Sequence, residues 1–149
     1  MATTWVVDSN CFIHMGSMAQ DNLIEDLRKS IPEGIFVTPG VHNEVRTVRF
    51  QRWKNKPNLL DKMKPILTTI AVDDDQIKGL ASQIGERAAP QDVDLSLMVL
   101  ASKLSREGRD VTLVTDDFKM TTTSQKVNLG FNTCPPSTFL QRLSETGPN

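Results

Sequence analysis

The chain has 149 residues, of which 38% are apolar, which is enough for one packed core and predicts a single domain. Its 17 Lys and Arg stand against 18 Asp and Glu, a formal net charge of -1, so nucleic-acid binding would need a local basic patch rather than bulk charge. No apolar stretch is long enough for a transmembrane helix, no signal-peptide pattern opens the chain, and two cysteines form neither a disulfide framework nor a CxxC zinc pair. These features predict a compact cytoplasmic domain with no membrane association.

The first apolar run, 4–7, is short and β-branched and stops at Asp8, Ser9 and Asn10, which reads as a buried strand entering a polar turn or cap. Leu23, Leu27 and Ile31 then recur every four residues, a helical spacing. A second strand-like run, 35–38, is closed by Pro39 and Gly40, and Glu44 falls in the first turns of the helix beyond it. The run 68–72 reads as a further strand. Ile77, Leu80, Ala81 and Ile84 follow the i, i+3, i+4, i+7 rule, as do Leu97, Met98, Ala101 and Leu104 in a helix that Asp94 opens. The run 111–115 is a strand closed by Asp116 and Asp117, and 130–133 is a weak fifth strand before Pro135 and Pro136. Residues 144–149 are polar and breaker-rich, so the domain is read as 1–143 with a flexible tail at 144–149. Short strands alternating with helices predict an α/β fold, a mostly parallel sheet of four or five strands covered on both faces.

Sites on such sheets lie at the carboxyl ends of the strands, and here those ends are acidic. Asp8 ends the first strand, Glu44 follows the second, and Asp116 and Asp117 end the run 111–115. Asp94 shares a helical face with positions 97, 98 and 101 and is expected to point toward the sheet, whereas Asp92 falls on another side or in the preceding turn. Taken singly, each acid has a simpler role: Asp8 in an Asx turn, Asp92 or Asp94 as a helix cap or dipole partner, Asp116 and Asp117 opening a helix with Phe118, Glu44 on a solvated face. Taken together, carboxylates gathered at one edge repel one another unless a cation neutralises them. Oxygen ligands without paired His or Cys suit Mg²⁺ or Mn²⁺, ions that serve in-line phosphodiester hydrolysis.

At these residues the sequence resembles the PIN domain (PilT N-terminus), a family of metal-dependent ribonucleases, over about residues 4 to 143. Val6-Val-Asp8-Ser-Asn10 resembles the opening motif, and Thr38-Pro-Gly-Val-His-Asn-Glu44-Val45 the second, whose helix supplies a Glu. Asp94-Leu-Ser-Leu-Met-Val-Leu-Ala101 resembles the third, and Leu113-Val-Thr-Asp116-Asp117-Phe118 the fourth. The resemblance implies a three-layer α/β/α sandwich and an Mg²⁺- or Mn²⁺-dependent endoribonuclease that leaves 5′-phosphate and 3′-hydroxyl ends. Asp8, Glu44, Asp94 and Asp116 match the acidic quartet, with Asp117 as a fifth metal ligand. Ser9 or Asn10 would orient Asp8 or a metal-bound water, and Asp92, which has no clean match, is a secondary candidate. Two subgroups are similar: the PIN part of archaeal Nob-type rRNA-maturation nucleases, without their zinc ribbon, and VapC-type toxins of toxin–antitoxin pairs.

Basic residues cluster just after Glu44. Arg46, Arg49, Arg52 and Lys54, with Trp53 among them, suit phosphates and a stacked base, which favours single-stranded RNA as substrate. A solvated basic helix is the alternative. Cys11 and Cys134 read as buried thiols, His14 and His42 as helix or turn residues, and Met15 and Met18 as core filling or a dimer surface. The resemblance further implies a homodimer and, according to subgroup, an antitoxin-like or a ribosome-associated protein partner. Two rivals to the nuclease stand: a PIN-like module that binds RNA or protein without cutting, and a phosphoacceptor receiver, for which no suitably placed Asp and late Lys are found.

Overall fold

The computed structural model describes residues 3–9, 11–12, 29–31, 34–44, 66–85 and 92–145. Five strands form one sheet: β1 (Thr3–Val7), β2 (Ile35–Val37), β3 (Leu67–Thr69), β4 (Asp110–Val114) and β5 (Asn132–Cys134). All four pairings are parallel, in the order β3-β2-β1-β4-β5. The helices are α1 (Pro39–Glu44), α2 (Asp74–Ile84), α3 (Asp92–Arg106), α4 (Phe118–Val127) and α5 (Pro136–Glu145). Together they make a three-layer α/β sandwich, as the alternation of strand and helical periods predicts.

β1 and β4 form the middle of the sheet, and their last four residues are buried on both faces. Side chains alternate along a strand, so Trp5 and Val6 face opposite layers. Trp5 packs on Phe139 of α5, with ring centroids 4.8 Å apart, and the Arg142 guanidinium lies 5.9 Å from the Trp5 ring. On the other side Val6 pairs with Phe36, over whose ring the Arg109 guanidinium sits at 5.5 Å. In both contacts the ring quadrupole attracts the cation.

α3 differs from the one-sided stripe expected of it. Every residue from Leu95 to Ser102 is buried, as is Leu104. A helix apolar on all sides belongs inside a core, and α3 packs on β1, β4, α1, α2 and α4 at once. Its approach to α1 is close: a Cβ added to Gly40 would meet Val93 Cγ2 at 3.1 Å.

Three boundaries also differ from the sequence expectation. The fourth run forms a strand only at Leu67–Thr69, while Ile70 and Val72 lean on the core beyond it, and the fifth strand sits at Asn132–Cys134. β3 is an edge strand with exposed Thr68 and Thr69, so the apolar pattern that locates buried strands does not mark it. α5 runs to Glu145, past the boundary read at residue 143. Among the described residues no helix is long and apolar enough to cross a membrane.

Candidate metal centre

The chain order places a switch point between β1 and β4. From β1 the chain steps outward to β2 and β3, then returns to the other side of β1 for β4 and β5. At such a reversal the connections leave in opposite directions, which opens a crevice outside the carboxyl ends of the two central strands. Asp8 follows β1 at that point, and Thr115, Asp116 and Asp117 follow β4.

Val7 pairs with Val114, so Asp8 stands beside Thr115. The ladder continues one step further, the Asp8 amide donating to Val114 O at 3.2 Å and the Thr115 amide to Cys134 O at 2.9 Å. The Thr115 hydroxyl donates to Asp8 Oδ2 at 2.5 Å, and its oxygen accepts the Asp117 amide at 3.0 Å. The other Asp8 oxygen, Oδ1, accepts the Cys11 amide at 3.1 Å, capping the helical turn that follows. Asp8 is 3% exposed, so this paired geometry is what makes a buried carboxylate tolerable.

Asp116 is exposed at the crevice. The Cys11 thiol is pushed well above its ordinary range, first by burial and then by the charges of Asp8, Cys134 and Asp116. One buried thiol therefore feels both strand-end carboxylates. Asp117 is half-buried and caps α4, Oδ1 accepting the amides of Lys119 at 2.9 Å and Met120 at 3.4 Å. That is the simpler of the two roles expected for it, and it engages one of its oxygens.

Asp94 is half-buried in the first turn of α3, the helix that packs on both β1 and β4. It stands at the head of the face carrying Leu97, Met98 and Ala101, all 0% exposed. Asp92 is exposed and lines a pocket toward α1. Ser9 is buried beside Asp8. Glu44 ends α1, whose first turn is held by the His42 amide donating to Thr38 O at 3.1 Å. The Glu44 side chain, Asn10, the basic cluster Arg46, Arg49, Arg52, Trp53 and Lys54, and His14, Met15, Met18, Leu23 and Leu27 lie outside the described residues. Cys11 and Cys134 are buried and free, as expected, and His42 lies in α1.

The fold thus gathers the elements that carry Asp8, Asp94 and Asp116 around one crevice. Among the described residues, however, no three His, Cys, Asp or Glu side chains stand close enough together to hold a metal ion. Asp8, Asp94 and Asp116 carry oxygen donors, the type that suits hard cations such as Mg²⁺ and Mn²⁺. Sequence reasoning missed Thr115 as the group that positions Asp8, and the pair Thr38–Ser96, whose hydroxyls lie 2.9 Å apart and tie the end of β2 to α3. Each is a side-chain pairing between elements distant in the chain, a relation that no local pattern encodes. In comparisons with known proteins, no family model matches this chain and no curated protein matches it.

Proposed function

We propose that this chain is a PIN-type, Mg²⁺- or Mn²⁺-dependent endoribonuclease acting on single-stranded RNA. The observation that carries the reading is the placement of Asp8, Asp94 and Asp116 on three elements that meet at the β1–β4 switch point. Asp8, Asp94 and Asp116, with Glu44 and Asp117, would hold the ion. When bound, a divalent ion polarises a phosphodiester and lowers the pKa of a coordinated water. The Thr115 hydroxyl and the Cys11 amide donate to the two Asp8 oxygens and fix its direction, and α3, buried along Leu95–Ser102, would support Asp94. Arg46, Arg49, Arg52, Trp53 and Lys54 would grip the RNA. A homodimer, an antitoxin-like partner or a ribosome-associated partner in the cytoplasm fits the same resemblance.

The second reading is a PIN-like module that binds RNA or protein without cutting. It is favoured by the capping roles of Asp8 and Asp117 and by the lack of a three-ligand cluster among the described residues. End-labelled single-stranded RNA incubated with Mn²⁺, with Mg²⁺ and with EDTA separates the two. The nuclease predicts cleavage that needs metal and is lost in Asp94→Asn. Intact RNA in every lane, at protein concentrations that bind it, selects the binding module.

A further inference from the structure

A second concavity lies on the same edge of the sheet, one strand over. An open pocket of about 230 Å³ is lined by Pro39 and Gly40 of α1, Val72, Ile77 of α2, and Asp92 and Val93 of α3. It is smaller than the roughly 300–1,000 Å³ of pockets that enclose drug-sized ligands, which suits one planar heterocycle. The walls are mostly apolar. Thr38 and Ser96 also line it, but their protons are committed: Ser96 Oγ donates to Val93 O at 2.6 Å, so the Thr38 hydroxyl donates to Ser96. Neither hydroxyl has a proton left for a ligand. Asp92 is exposed, has no partner among the described residues, and offers two acceptor oxygens and no donor.

The pocket therefore asks for a flat apolar body with adjacent N–H donors along one edge. We propose that it reads a guanine base of the RNA, an inference that rests on the ribonuclease reading of the neighbouring acids. Guanine presents N1–H and N2–H₂ side by side, a match for two carboxylate oxygens. Adenine and cytosine set one amino group beside a lone pair, and uracil flanks its single N–H with two carbonyls, which a carboxylate repels. Placement supports the pairing. Continuing the register, Thr38 stands beside Asp8, about 4.8 Å across the sheet, and α3 carries both Asp92 and Asp94. An RNA strand crossing this edge of the sheet can thus lay an adjoining base against Pro39, Val72 and Ile77. Single-stranded bases are commonly read this way, stacked on one face and hydrogen-bonded along the Watson–Crick edge.

The test is an amide NMR titration of the full chain in EDTA, so that no cleavage occurs, with the pentaribonucleotides UUGUU and UUAUU and with GMP. UUGUU should shift the amides of Gly40, Val72 and Val93 and bind at least about tenfold tighter than UUAUU, the discrimination expected of a bidentate contact. Asp92→Asn, whose fold the same spectrum checks, should erase that preference. Equal binding of the two pentamers, shifts confined to other residues, or a preference that survives in Asp92→Asn would overturn the proposal. GMP binding more tightly than UUGUU would also overturn it, by assigning the pocket to a free nucleotide. Guanine-selective binding by a chain that cuts no RNA when Mn²⁺ is restored would keep the pocket and remove the nuclease.

Discussion

Thr115 joins the ends of the two central strands through one hydroxyl. It donates to Asp8 Oδ2, accepts from the Asp117 amide and lies 3.7 Å from Met120 Sδ, all in a buried setting. Thr115→Val keeps the shape and removes the hydroxyl, taking a donor from the buried Asp8 carboxylate and an acceptor from the Asp117 amide. Urea denaturation should show a loss of about 1–3 kcal/mol, and Thr115→Ser should recover most of it. Wild-type stability in the valine variant would mean that Asp8 needs no such support. The thiols give a second test at this scale. Burial pushes Cys134 above the ordinary thiol range, against the opposing charge of Arg142. The native state then holds its proton more tightly than the unfolded chain does. Below the unfolded thiol pKa of about 8.5 the group leaves stability unchanged, and above it stability falls as pH rises. Cys134→Ala should flatten that alkaline decline. Both cysteines should resist a thiol reagent at neutral pH until the chain is unfolded.

At the scale of elements, two glycines make opposite predictions. Gly34 precedes β2 with φ +82°, and a Cβ there would collide with the backbone carbonyl of Ile66, which leads into β3. Gly34→Ala should cost at least about 1–3 kcal/mol by strain and by prying the β2–β3 pair apart. Gly79 lies inside α2, and a Cβ there meets nothing within 4 Å. Gly79→Ala should therefore stabilise by about 0.5–1 kcal/mol, read as a raised Tm. An unchanged Gly34→Ala protein would contradict the close approach of β3. Elements were legible where a period met a clear stop: β1 at Asp8, β2 at Pro39, β4 at Asp116, and α2 and α3 in their apolar repeats. β3 was misplaced because its outward Thr residues pair at an edge, where burial does not dictate pattern. α5 was not anticipated, although Pro136 at its first position and Phe139 and Leu140 within it carry a start signal and a buried face. The full burial of α3 was invisible because it depends on neighbours from five other elements.

At the scale of the molecule, the strand order turns a list of acids into a site. The sequence told that Asp8 and Asp116 each end a strand, but not that those strands are adjacent, since 102 residues lie between Val7 and Asp110 and the pairing is entirely nonlocal. Adjacency is what creates the switch point and brings α3, the helix that bears Asp94, onto both strands. The central claim is that these acids share one divalent ion. Titration of Mn²⁺ followed by electron paramagnetic resonance tests it most directly, with wild type beside Asp94→Asn and Asp116→Asn. A single dominant class of bound Mn²⁺ in wild type, weakened about tenfold or more in each variant, is the result predicted from removing one charged ligand. No binding in wild type, or equal binding in all three proteins, would contradict the account and leave the strand-end acids as caps.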